Sequence, residues 1–183
     1  HSMREYNKYI DNIYQQVELG RDSGAIILML EGSEEKQYSV DIYDELFERM
    51  CQWEVSRTLM CTARFCIDLY MHKQVYARPL EIAARCYTLS DEFVLADPMH
   101  VLILAKYAVS VQQYEAAYAL VTNAEQRYGE FINTTLCKLL EVELLWQYLN
   151  DPEKARALLA ELLQSTRSSE HHETVMEFAK SML

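Results

Sequence analysis

The densest run of chemistry-bearing side chains in the sequence is "EHHE", Glu170 to Glu173. Histidine and carboxylate donors can hold a divalent metal, but neighbours on a helix point about 100° apart, so the two imidazoles do not converge on one ion. The run reads as the polar start of a helix. Cys51, Cys61, Cys66, Cys86 and Cys137 are odd in number, lie inside apolar helical patterns and form no C-x-x-C pair. They read as buried free thiols of a reducing compartment, and the cytoplasm is the expected location. His72 and His100 stand alone among apolar residues, as packed histidines do. The carboxylate pairs Glu141 with Glu143 and Asp91 with Glu92 face apart or sit at helix caps, whereas general acid–base work needs convergence. Nucleotide-binding glycine loops, the nucleophile elbow and the H-E-x-x-H zinc motif are all missing from the sequence. A non-enzymatic protein with no metal and no cofactor is the expectation.

Four glycines and three prolines in 183 residues leave little turn material for a β-rich fold. The longest aliphatic run, "IILML" at 26–30, is far short of the roughly 20 residues that span a bilayer. A net charge of −11 argues against binding nucleic acid, which needs a basic face. A mildly basic belt (Arg57, Arg64, Lys73, Arg78, Arg85) lies between acidic flanks and reads as solvated helix faces. The opening "HSM" reads as an expression-tag remnant, residues 1–3, which leaves open that the chain is part of a longer protein.

Apolar residues at three-and-four spacing set out the helices that must position any site. The first spans 4–19, with Gly20 where a C-cap glycine belongs. An apolar segment follows at 24–31, and "EGSEEKQYS", 31–39, reads as a loop. The pattern from Val40 to His72 fits one long helix or two broken near Trp53. Further helices are expected at 79–90, 98–111, 114–128, 133–149, 152–166 and 170–182. Pro79, Pro98 and Pro152 all mark helix starts, where a missing N–H costs nothing, and Asp151 is a good N-cap. In the last segment, Val175, Phe178, Ala179 and Met182 form a stripe suited to covering the helix before it, with Ser168 or Ser169 as its cap.

Ala83, Ala117 and Ala155 mark an internal repeat, with separations of 34 and 38 residues. The unit "VLILAKYAVSVQQYEAAYALVTNAEQRYG" carries Leu104 and Ala105 on its first helix, then Ala117, Val121 and Ala124 on its second. In this it resembles the tetratricopeptide repeat family. The resemblance is closest in 98–128. It is looser in 133–166, where Glu143 and Leu162 replace small residues, and weakest in 63–90. It implies an all-α fold, a right-handed α-solenoid of antiparallel helix pairs. The organisation is then a helical N-terminal region at 4–62 (a divergent repeat or a cap), repeats at 63–166 and a C-terminal capping helix at 167–183. In such a repeat a small residue at Ala117 or Ala155 lets neighbouring helices approach closely.

The resemblance also implies a concave groove lined by the first helix of each repeat, binding a peptide or helix of a partner protein. Carried over position by position, that groove comprises Asp68, His72, Met99, Leu102, Lys106, Val109, Leu140, Leu144 and Tyr148. It is mostly apolar. The expected role is a protein–protein interaction module, a scaffold part of a larger bacterial protein or a small adaptor, with a homodimer left open. Membrane insertion and nucleic-acid binding by this domain are not expected. Two alternatives remain: an acidic chaperone similar to the tetratricopeptide chaperones of type III secretion, holding a membrane-active cargo, or the sensory domain of a transcription regulator.

Overall fold

Local periodicity translates into helix throughout. The structure, a computed structural model, describes residues 3–34, 39–52 and 57–182. Among these residues there are eleven α-helices and no strand, and no helix is long and apolar enough to cross a membrane. The chain divides into two compact units, His1–Ala96 and Asp97–Leu183.

The first unit holds α1 (Met3–Glu18), α2 (Asp22–Glu34), α3 (Val40–Met50), α4 (Arg57–His72) and α5 (Ala77–Leu89). Gly20 takes the left-handed conformation, φ +72°, that ends α1 as expected. The loop expected from Glu31 is instead helical as far as Glu34. Ala25 and Met29 anchor α2 in the core, and Gly32 is buried too. A helical backbone satisfies its own polar groups where water cannot reach. Residues 35–38 of that expected loop lie outside the described residues. So do Trp53 and Val55, between the end of α3 at Met50 and the start of α4 at Arg57. α4 is the hub of this unit, packed against α2, α3 and α5. Its buried Thr62 donates to Thr58 O at 2.8 Å and touches the sulfurs of Met29 and Met50.

The second unit holds α6 (Met99–Ser110), α7 (Tyr114–Val121), α8 (Ala124–Tyr128), α9 (Thr134–Gln147), α10 (Pro152–Ser165) and α11 (His172–Ser181). Pro152 sits at the first helical position and the Asp151 carboxylate accepts from the Lys154 N–H, as expected. Asp97 does the same for α6, accepting from the Met99 N–H at 2.9 Å. The single helix expected at 114–128 is broken. Thr122 is extended and Asn123 is left-handed at φ +53°, so α7 ends and α8 starts afresh. Ala117 and Ala155 are fully buried. Val175 joins the core of α9 and α10, with Phe178, Ala179 and Met182 packed against it.

One hinge geometry recurs along the chain. Gln74, Gln112 and Asn150, spaced by 38 residues, all have positive φ and close α4, α6 and α9 respectively. At the first two, the next residue's N–H reaches back five positions, Val75 to Tyr70 O and Gln113 to Ala108 O. This is the Schellman closure. Ala117 and Ala155 each lie five residues past their hinge. Five residues past Gln74 the chain has Pro79, one helical turn before Ala83, and both are buried.

Candidate functional site

The break after α7 creates the most distinctive polar feature of the second unit. Because the chain turns extended at Thr122, its hydroxyl is free to donate to Glu141 Oε1 on α9, at 2.9 Å. Glu141 is only 6% exposed. Burial raises its carboxyl above the usual carboxylate range, opposed by the Thr122 bond and by the positive charges of Lys154, Lys138 and Arg127. Surrounding groups hold the walls in place. Lys138 Nζ pairs with Glu125 at 2.5 Å, pinning α8 to α9. Lys154 Nζ donates to the Tyr118 hydroxyl at 2.8 Å, tying α10 to α7. Arg127 donates to Ala119 O, satisfying a carbonyl at the end of α7.

Glu141 lines a cleft of about 360 Å³ bounded by α8, α9 and α10, with Leu158 and Leu162 on its apolar side and Gln126 and Glu161 among its polar lining. The lining contains no histidine or cysteine. Its chemistry is therefore that of hydrogen bonding and charge recognition. The sequence pairs Glu141 with Glu143 as carboxylates that face apart, and does not mark Glu141 as buried. The signal for its burial is a second stripe on α9, Thr134, Cys137, Glu141 and Leu144, at three-and-four spacing and wholly buried.

The groove positions carried over from the repeat family fall into three groups by exposure. Met99, Lys106, Tyr148 and His72 are exposed, and Asp68, Val109 and Leu140 are half-buried. Leu102 and Leu144 are buried and serve as packing residues. The open face of α6 runs through Met99, Ile103 and Lys106, so Ile103, 46% exposed, presents the surface expected of Leu102, one residue and a third of a turn away. Tyr148 lies stacked on Tyr114, with ring centroids 3.9 Å apart. His72 Nε2 approaches Asp68 Oδ2, one turn earlier, at 3.4 Å.

In the first unit the basic belt is largely consumed internally. Arg78 reaches Asp44, Glu48 and Glu81, and Arg85 reaches Glu48. The Tyr70 hydroxyl donates to Asp44 at 2.5 Å. Burial raises the Asp44 carboxyl, but the Arg78 and Tyr70 bonds outweigh it and hold it below its ordinary value. Arg64 donates to Val94 O and lies over the Phe93 ring. All five cysteines are free, and burial pushes the Cys86 thiol to about 12 and the Cys137 thiol to about 11. These two are packing residues, with little thiolate at neutral pH.

No protein-family model, no curated protein and no solved structure matches this chain.

Proposed function

We propose that this chain is a non-enzymatic, tetratricopeptide-like interaction module whose helix pairs stack as a right-handed α-solenoid and bind a peptide or helix of a partner protein. The observation that carries the reading is the hinge repeated every 38 residues, followed at the same offset by the fully buried Ala117 and Ala155. Small residues at equivalent places are what closely packed repeating helix pairs require. Two contacts support an antiparallel run of α7 against α9: Tyr114 at the start of α7 stacks on Tyr148 just past α9, while Thr122 after α7 bonds Glu141 in mid-helix. The binding face is the exposed row Met99, Ile103 and Lys106 on α6, mainly apolar with one cation. An amphipathic peptide carrying an acidic residue suits that row. The free thiols fit a cytoplasmic setting.

Selection of displayed peptides against the full chain tests this. Apolar peptides with an acidic position should be enriched, and Ile103→Asp should weaken their binding by about tenfold or more while leaving the melting temperature in place. Selection without enrichment, or binders indifferent to Ile103→Asp and Met99→Asp, would overturn it.

A further inference from the structure

We propose that the Glu141 cleft is a receptor for one cationic side chain, a lysine ammonium or arginine guanidinium presented by a partner polypeptide. This stands independently of the repeat reading and concerns a surface apart from the Met99–Ile103–Lys106 row. Glu141 is buried, and among the described residues the side-chain donor to its carboxylate is the neutral Thr122 hydroxyl alone. A carboxylate has about four acceptor positions, so one hydroxyl leaves most of its capacity unused. Of the two lysines that line the cleft, Lys138 is paired with Glu125, and Lys154 gives one of its three donors to the Tyr118 hydroxyl and acts on Glu141 through its charge without a direct bond. An entering cation would give the carboxylate the direct charged partner that the Thr122 hydroxyl is not, and charge-assisted bonds in a desolvated place are the strong ones.

The shape matches the same ligand. A volume of about 360 Å³ admits a long side chain, Leu158, Leu162 and Ala157 can pack against its methylenes, and Glu161 adds a second negative charge. An anion would meet the carboxylates of Glu141 and Glu161, with Lys138 already paired to Glu125. A purely apolar group would bury Glu141 further without pairing it.

The test compares Nα-acetyl-arginine amide with Nα-acetyl-citrulline amide, a neutral near-isostere, by NMR titration of the full chain. The arginine probe should bind at least about tenfold tighter, as expected for a hydrogen bond to a buried charge, and should shift the amide signals of Thr122, Glu141 and Leu158. Glu141→Gln should erase the preference, and Lys154→Met should keep or strengthen it. Acidification should weaken arginine binding as Glu141 gains its proton. The other groups about it are Tyr118 on α7, Thr122 after it, Arg127 on α8, Cys137 and Lys138 on α9, and Lys154 and Glu161 on α10. Should Glu141→Gln fail to fold, Leu158→Trp serves as the second variant by filling the cleft, and it should abolish binding. Equal binding of the two probes, arginine binding that survives Glu141→Gln or Leu158→Trp, or shifts confined to other surfaces would overturn the proposal. So would tighter binding of free zwitterionic arginine together with its loss in Lys154→Met, which would make the ligand dipolar.

Discussion

Two carboxylates of this chain respond to their surroundings in opposite senses, and that difference can be measured. Asp44 is held below its ordinary value because Arg78 and Tyr70 bond it more strongly than burial penalises it. A group depressed in the folded state stabilises the fold above its unfolded value, and that contribution is lost as pH falls through the folded one. Asp44→Asn should therefore cost about 1–3 kcal/mol at neutral pH and flatten the acid limb of the stability curve of residues 1–96. Glu141 is raised by burial, so the folded state holds its proton longer than the unfolded chain does. Its contribution is complete at low pH and is lost as pH rises from the unfolded value through the raised folded one. Glu141→Gln should thus raise stability at neutral pH relative to the parent and leave acid stability nearly unchanged. Urea unfolding at pH 4 and pH 8 checks both, and a Glu141→Gln protein that is weaker at pH 8 than at pH 4 relative to its parent would contradict the assignment.

Helix ends separate what local sequence encodes from what packing decides. Gly20, Asp151 with Pro152, and the spacing of α6, α9, α10 and α11 were legible because caps and apolar periodicity act over a few residues. The extension of α2 through Gly32 and the break between α7 and α8 were not. The first depends on burial against other helices, and the second on Asn123 adopting φ +53°, which asparagine tolerates without announcing it. The Glu141 cleft was hidden for the same reason, since it exists only where that break turns Thr122 toward α9. A left-handed residue with a β-carbon costs about 1–2 kcal/mol, so Asn123→Gly should hold or raise stability while Asn123→Val should lower it by about that amount. Hydrogen exchange should show the Val loss concentrated in α7 and α8. Ala117, wholly buried where α7 meets its neighbours, makes the complementary case. Ala117→Leu should cost about 1–3 kcal/mol by overpacking, and a thermal melt equal to the parent's would mean the site has room that close packing does not allow.

At the scale of the whole molecule, the second unit must close its own apolar end, and α11 is the element that does so. Val175 is fully buried with Leu139, Val142, Leu145, Ala155, Leu159 and Leu162, and Phe178, Ala179 and Met182 pack beside it. The opposite face, Glu173, Glu177 and Lys180, is exposed. The expected serine cap does not form: the N-cap of α11 is His171, without a side-chain bond, and Ser169 Oγ accepts from the His171 N–H at 3.1 Å in the turn before the helix, which begins at His172. The two histidines of "EHHE" thus belong to a helix entrance, where His172 Nδ1 lies 3.4 Å from the buried Thr166 hydroxyl. Truncation after Thr166 removes Val175, Phe178 and Met182 from the core and uncovers Leu158, Leu159, Leu162 and Leu163. Each large apolar side chain returned to water costs about 1.5–3 kcal/mol, so the loss is comparable with the ~5–15 kcal/mol that holds a typical domain together. The truncated chain should unfold at lower urea concentration and scatter light at concentrations where the parent, with its strong negative charge, stays dispersed. A truncated protein that remained monomeric and equally stable would mean that α11 is dispensable to the fold, and its apolar stripe would then have to be explained by a partner rather than by α10.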